Sequence, residues 1–531
     1  MAIGSPALAG YSLAITRLNS RWFTRQFSYF HFPNKEHIPP AIAALQHIPF
    51  RIDASGSLLP SLIVLPQNDR YWKLLGVAAK RTRQWSIPVA MNIVWVLVAF
   101  FLTIVDSFVD FDHFITVPGD AGYSIAAVWT YLLPLVVGWL HVGSQPDANH
   151  LRDALDEAHE FAYVATSSST EPLPASRVTG RSARAIEPST KHIDHVNADE
   201  KKTAPIFNYS RVFIWSQHAE YISRLYEHAA TKADRRITVK RGGEWMGNDD
   251  GTVQAQDRVG TEADVVRYCM DDHELETPFD PNPKDVTPQL AAHFSPYSAS
   301  PPSPEPSAMA FLTAGMYANA GAYVRGRHQS GSSKFDEEAL PTEVRAMPEK
   351  PVFATEVFHR VAFAAFLALG LQWCTTGAAI LIHLNTPPKG IGCRATTFTT
   401  YGAAATFAFF LLLLSSLLAH LARRQNVREM RSRSKTIIGY IAMLTRWLGK
   451  LVAVMNGLGI LISCIMQFAG VYDNCFCSST IFGGNPNGLV WFIEEDIRGS
   501  DVYRYWIGGI IMAFGASGLY TFAMYVATPI G

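Results

Sequence analysis

Residues 361–384 read VAFAAFLALGLQWCTTGAAILIHL, and residues 401–422 read YGAAATFAFFLLLLSSLLAHLA. Neither stretch contains Lys, Arg, Asp or Glu. A helix crosses the hydrocarbon core with about 20 mostly apolar residues. Each such charge near its centre would cost about 2.5–3.5 kcal/mol. Two stretches in tandem therefore predict two membrane-crossing helices joined by a short loop. Working outward, four more charge-free blocks occupy 87–105, 122–142, 451–471 and 505–527. A soluble core could hide one of these, but not six of this length. The expectation is an all-α membrane protein with a six-helix transmembrane bundle. Pro134 interrupts the second block and is expected to kink it, which membrane helices tolerate.

Whole-chain averages conceal this pattern. The chain has 531 residues, 48% hydrophobic and 17% charged, with a mean hydropathy of only +0.08. Lys plus Arg equals Asp plus Glu at 45 each, and no basic stripe suggests a nucleic-acid platform. Trp85, Tyr123, Tyr401, Trp447, Tyr505 and Trp506 fall at block ends, where aromatic rings favour the membrane interface.

Short loops set orientation through Lys and Arg. Arg70, Lys73, Lys80, Arg81 and Arg83 precede the first block, and Arg423, Arg424, Arg428, Arg431, Arg433, Lys435, Arg446 and Lys450 separate the fourth from the fifth. Both segments are expected to be cytoplasmic. The loop after the first block carries Asp106, Asp110, Asp112 and Asp120 without a base, and residues 472–503 carry five acids and one base, Arg498. Both are expected outside. Six crossings then place both termini in the cytoplasm, with Lys389 and Arg394 as a mild dissent. Residues 1–35 hold Arg17, Arg21, Arg25 and Lys35 and no acid. That suits either a mitochondrial presequence or an amphipathic surface helix using Leu18, Trp22, Phe23 and Phe27. A plasma or secretory-pathway membrane is the preferred location. Cys393, Cys475 and Cys477 fall in outer loops, where disulfides form. A link from Cys393 to Cys475 or Cys477 is expected in preference to a metal site, because no His lies at zinc spacing. Cys374 and Cys464 are expected to be buried apolar residues.

A polar insert separates the second and third blocks. Four parts are thus expected: a cytoplasmic N-terminal segment (1–86), helices one and two (87–142), the cytoplasmic insert (143–355) and helices three to six (356–531). Within the insert, Leu151, Leu155, Ala158 and Ala162 share a stripe, so 148–165 is predicted helical. Val212, Trp215, Ala219, Ile222, Tyr226 and Ala229 recur at helical steps, which predicts an amphipathic helix over 206–232. Residues 167–204 lack an apolar period and are expected to be disordered. A strand-like run at 237–240 leads to a turn at Gly242-Gly243. Nine prolines fall in the 29 residues 278–306, marking a linker with Ser-Pro pairs at Ser295, Ser300 and Ser303. The sequon at Asn208 is expected to be unused on the cytoplasmic side.

Intramembrane polar residues are functional candidates by default. Here they are Asn92, Gln372, His383, His420, Asn456 and Gln467. Interhelical hydrogen bonds are their more economical use. Gly515-Ala516-Ser517-Gly518 resembles the GxSG motif of rhomboid intramembrane proteases, but no later helix supplies a histidine to Ser517. Close helix packing through Gly508, Gly509, Ala513, Gly515 and Gly518 is favoured. The acids Glu494, Glu495 and Asp496 form an outer cluster, read as solvated. No HExxH, P-loop, GxSxG or dinucleotide fingerprint occurs.

LQWCTTGAAILIHLNTPPKGIGCR at 371–394, the helix from Tyr401, QWSIPVAMNIVWVLVAF at 84–100 and APIFNYSRVFIW at 204–215 resemble segments of an uncharacterised family of polytopic membrane proteins from filamentous fungi. Cys374 stands where that family pattern has Gly. The resemblance implies a fungal source and no particular activity, catalytic residue or cofactor. The functional expectation is a non-enzymatic membrane protein. Its partners are the lipid bilayer and a cytoplasmic protein recruited or sensed through 144–355. A channel or transporter is the alternative, and an intramembrane serine hydrolase the third.

Overall fold

The computed structural model describes residues 2–52, 57–80, scattered positions from 91 to 105, 120–142, 148–178, 184–188, 203–247, 253–270, 355–386, 391–427, 433–469, 471–472 and 502–526. Residues 275–343, with the Pro-rich stretch, Ser295, Ser300 and Ser303 among them, lie outside the described residues.

The chain is mostly helical. Among the described residues, four helices are long and apolar enough to cross a bilayer: α11 (Thr355–Asn385), α12 (Cys393–Val427), α13 (Arg433–Phe468) and α14 (Val502–Val526). They correspond to the last four apolar blocks and alternate in direction. Their outward faces are apolar and bare. Leu444, Trp447, Met455, Ile462 and Ile465 stand exposed along α13, and Ile511, Leu519 and Phe522 along α14. Water does not tolerate an apolar band of this extent, but lipid does.

The second block is not one kinked helix. It divides into α5 (Asp120–Trp129) and α6 (Leu132–Val142), broken at Thr130-Tyr131. Pro134 sits in the first turn of α6, where a missing N–H is cheapest. The first block is described only in part. Its described residues are helical and, apart from the half-buried Thr103, exposed, Met91, Val94 and Phe101 among them.

α1 (Pro6–Ser28) begins with Pro at its first turn and carries Arg25 in its last, both favourable placements. It is not a surface helix. Every residue from Pro6 to Arg17 is buried. Its first half packs in the bundle core with Tyr131, Leu135, Ala364, Ala368, Phe409, Leu412 and Tyr520. Its second half turns Phe23 and Phe27 into a different core.

That second core belongs to a module assembled from both polar regions. The N-terminal part gives α2 (Ile38–Ala44), β1 (Phe50–Ile52), α3 (Leu58–Val64) and α4 (Asp69–Lys80). The insert gives α7 (Ala148–Glu160), β2 (Tyr163–Val164), β3 (Leu173–Pro174), α8 (Ala175–Val178), β4 (Ile186–Pro188), α9 (Val212–Asp234) and α10 (Glu262–Cys269). β1 pairs antiparallel with β4, Arg51 facing Glu187. β2 pairs with β3. The Trp215 indole donates to the Ile42 carbonyl at 2.8 Å. Arg258, nearly inaccessible, donates to both Asp69 oxygens at 2.7 and 2.9 Å and to the Val64 and Leu65 carbonyls.

α9 follows its predicted stripe, with Val212, Trp215, Ala219, Ile222, Tyr226 and Ala229 all buried. The described parts of 167–204 depart from expected disorder. Their strands are too short to carry a period, and β4 is ordered by pairing with a strand far away in sequence. Residues 237–240 form no strand, although Val239 is buried. The turn at Gly242 is present, with φ at +70° and the Gly243 N–H on the Lys240 carbonyl.

Candidate functional site

A polar socket inside the bundle surrounds the start of α1. Backbone groups in a dry environment must find partners within the protein. Residues 2–5 are not helical, and Pro6 brings no N–H. The bundle supplies what is missing, one residue at a time. Tyr131 on the α5–α6 turn donates its hydroxyl to the Ala2 carbonyl at 3.3 Å. Tyr401 on α12 donates to Ile3 at 2.6 Å. Asn456 on α13 donates to Gly4 at 2.9 Å and to the Tyr401 carbonyl at 3.0 Å. Tyr520 on α14 donates to Gly10 at 2.6 Å. Gln372 on α11 accepts the Ala7 N–H at 3.1 Å, and its amide donates to the Gly402 carbonyl and Thr406 hydroxyl. The Ser5 hydroxyl donates to Ala405 at 3.1 Å, and the Ser5 carbonyl takes the N–H groups of Leu8 and Ala9.

Close approach fixes one residue type here. A Cβ on Gly4 would lie 1.6 Å from the Ala453 carbonyl oxygen, so only glycine fits.

Gln372 holds the socket, and the Trp373 indole donates to Thr406 at 3.0 Å. Thr375 bonds back to its own helix. Cys374 is half-buried with a free thiol, and Cys464 is buried and free.

The other sequence candidates scatter. His383 sits 2.6 Å from the Ser124 hydroxyl and stacks on Phe398. His420 packs on the Phe213 ring. Ser517 donates to the Thr130 carbonyl at 3.4 Å, the oxygen whose i+4 partner position is held by Pro134. Asn92 lies outside the described residues. Cys393 is disulfide-bonded, while Cys475 and Cys477 lie outside the described residues. Glu494, Glu495 and Asp496 lie outside them as well. Among the described residues, no group of three His, Cys, Asp or Glu could hold a metal.

Sequence reasoning missed Tyr131, Tyr401 and Tyr520. Tyr401 and Trp506 stand at block ends yet turn inward, both nearly inaccessible, and the Trp506 indole donates to Thr386. Residues 2–16 themselves carried a signal. They hold no charge, but at fifteen residues they fall short of a full span.

A second polar knot marks where α1 leaves the bundle for the module. The Asn208 amide donates to the Thr16 hydroxyl at 2.9 Å, which buries the sequon. Arg211 donates to the carbonyls of Gln46, Thr203, Ala204, Pro205 and Phe207. His47 donates its Nδ1 hydrogen to the Pro205 carbonyl, since a carbonyl only accepts. Burial, reinforced by the nearby Arg211 charge, lowers the His47 pKa to about 4 despite that bond. The APIFNYSRVFIW stretch thus straddles both cores, with Tyr209 and Val212 in the bundle and Trp215 in the module.

No family model matches the chain, and neither the curated proteins nor the solved structures contain a significant match.

Proposed function

We propose that this chain is a six-crossing membrane protein that couples a cytoplasmic recruiting or sensing module to its bundle through α1. One observation carries the reading: a single helix is built into both cores, so displacement of the module is transmitted into the bundle. The orientation rests on two supports. Arg21 on the module half of α1 donates to the Val526 carbonyl, so the last helix ends on the module side. Cys393 starts α12 at the opposite end and is oxidised, which suits an outer or luminal compartment. The basic residues near 70–86 and 423–450 then face the cytoplasm.

Within this reading the segment 275–343, with its Pro-rich and Ser-Pro content, is the recruiting segment. Deleting 275–343 in the cell should leave expression and membrane extraction unchanged. Proximity labelling from a C-terminal tag should lose a defined set of neighbours. An unchanged neighbour set would refute recruitment by this segment. Deleting the whole of 144–355 is a poor test, because it removes half of the module core.

A transport reading is favoured by the polar socket. A hydrolase reading has less support, since Ser517 meets a backbone carbonyl and not a histidine.

A further inference from the structure

We propose that residues 2–10 are a plug seated in a polar pathway for small uncharged solutes, and that withdrawing α1 opens it. The inference goes beyond the recruitment reading and does not depend on it.

The argument begins with the donors. Tyr131, Tyr401, Asn456, Tyr520 and Gln372 converge from five different elements on the non-helical residues 2–5 and the first turns of α1. Four donate to backbone carbonyls of residues 2–10, and Gln372 accepts one N–H. A bundle needing only helix-to-helix glue would spend its polar groups on neighbouring helices. This one also directs four side-chain donors at the carbonyls of a guest segment, although Gln372 and Asn456 bond to α12 as well. With the segment withdrawn, the hydroxyls of Tyr131, Tyr401 and Tyr520 and the Gln372 carbonyl oxygen would lose these partners and face a cavity that water or a polar solute can fill.

A second observation is independent of the plug. The Thr376 hydroxyl and both polar atoms of Gln467 are buried and have no hydrogen-bond partner among the described residues. Thr376 lies one turn along α11 from Gln372, beside Gly402, and Gln467 lies near the far end of α13. Unpaired polar atoms at that depth call for water or a solute hydrogen-bonding group. Gln467 thus adds buried, unpaired polar atoms on the far side of the socket. The lining also sets the cargo. Amides, phenols and hydroxyls line the socket, and no Asp, Glu, Lys or Arg is among its described residues. Such a lining recognises hydrogen-bonding capacity and offers no counter-charge to an ion.

The test uses the full chain in phosphatidylcholine vesicles, with glycerol as probe and swelling as readout. The wild type should swell no faster than empty vesicles. Asn456→Leu with Tyr401→Phe removes two latches and should swell several-fold faster. Gly10→Cys with Ala368→Cys then locks the segment. A Cβ on Gly10 lies 3.4 Å from that of Ala368, close to the separation of about 3.5–4.5 Å that a disulfide bridges. Oxidation of the four-site variant should return swelling to baseline, and reduction should restore it. The lock also reports folding, since only a seated α1 forms it. If the lock forms and reduced and oxidised vesicles both swell like empty ones, the pathway is refuted. If it does not form even without the latch substitutions, the plug itself is wrong.

Discussion

His47 shows how burial alone writes a pH dependence into the junction. Its folded pKa is about 4 against an ordinary 6.5, because burial disfavours the cation. A depressed histidine stabilises the fold fully above 6.5. That contribution is lost as pH falls from 6.5 towards 4, because the unfolded chain takes up the proton first. The full loss is about 3 kcal/mol, by conversion at 1.36 kcal/mol per pKa unit. Melting midpoints of the detergent-solubilised protein should therefore drop more steeply between pH 6.5 and 4 for the wild type than for His47→Gln. Parallel curves would show that His47 is not the group responsible. Arg211, beside it, was invisible to pattern reading. Its value comes from five carbonyls gathered by tertiary folding, and no spacing announces such a set.

Elements declared themselves in proportion to their periodicity. α9 was legible because one face is apolar and the other polar. The helices α11 to α14 were legible because lipid demands long charge-free runs. The first half of α1 was not. It is buried on every side, so no face stands out, and it is shorter than a span. The division of α5 from α6 was half legible. Pro134 signalled a break, but the break falls three to four residues earlier, where Ser517 from α14 supplies a hydrogen bond to Thr130. This gives the serine of the GASG stretch a structural role. Ser517→Ala should lower stability by about 1 kcal/mol, typical of one interhelical hydrogen bond in a membrane. Expression should stay near wild type and any cellular phenotype should persist. Loss of phenotype at unchanged stability, read from melting and a complementation assay, would restore the nucleophile reading.

At the scale of the whole molecule, two polar regions far apart in sequence build one module, and α1 ties that module to the bundle. Neither fact was readable from local pattern. Cross-pairing such as β1 with β4 depends on long-range register, which three-residue strands do not encode. The central claim is that α1 enters the bundle, and labelling with a membrane-impermeant thiol reagent tests it most directly. The comparison is between Ala9→Cys, in the buried half, and Tyr29→Cys, 69% exposed just past the helix end. Reagent should be applied from the module side of opened vesicles, with modified sites read by mass spectrometry. The account predicts rapid labelling at position 29 and none at position 9 until the protein is unfolded in detergent. Equal labelling at both positions in the native membrane would contradict it.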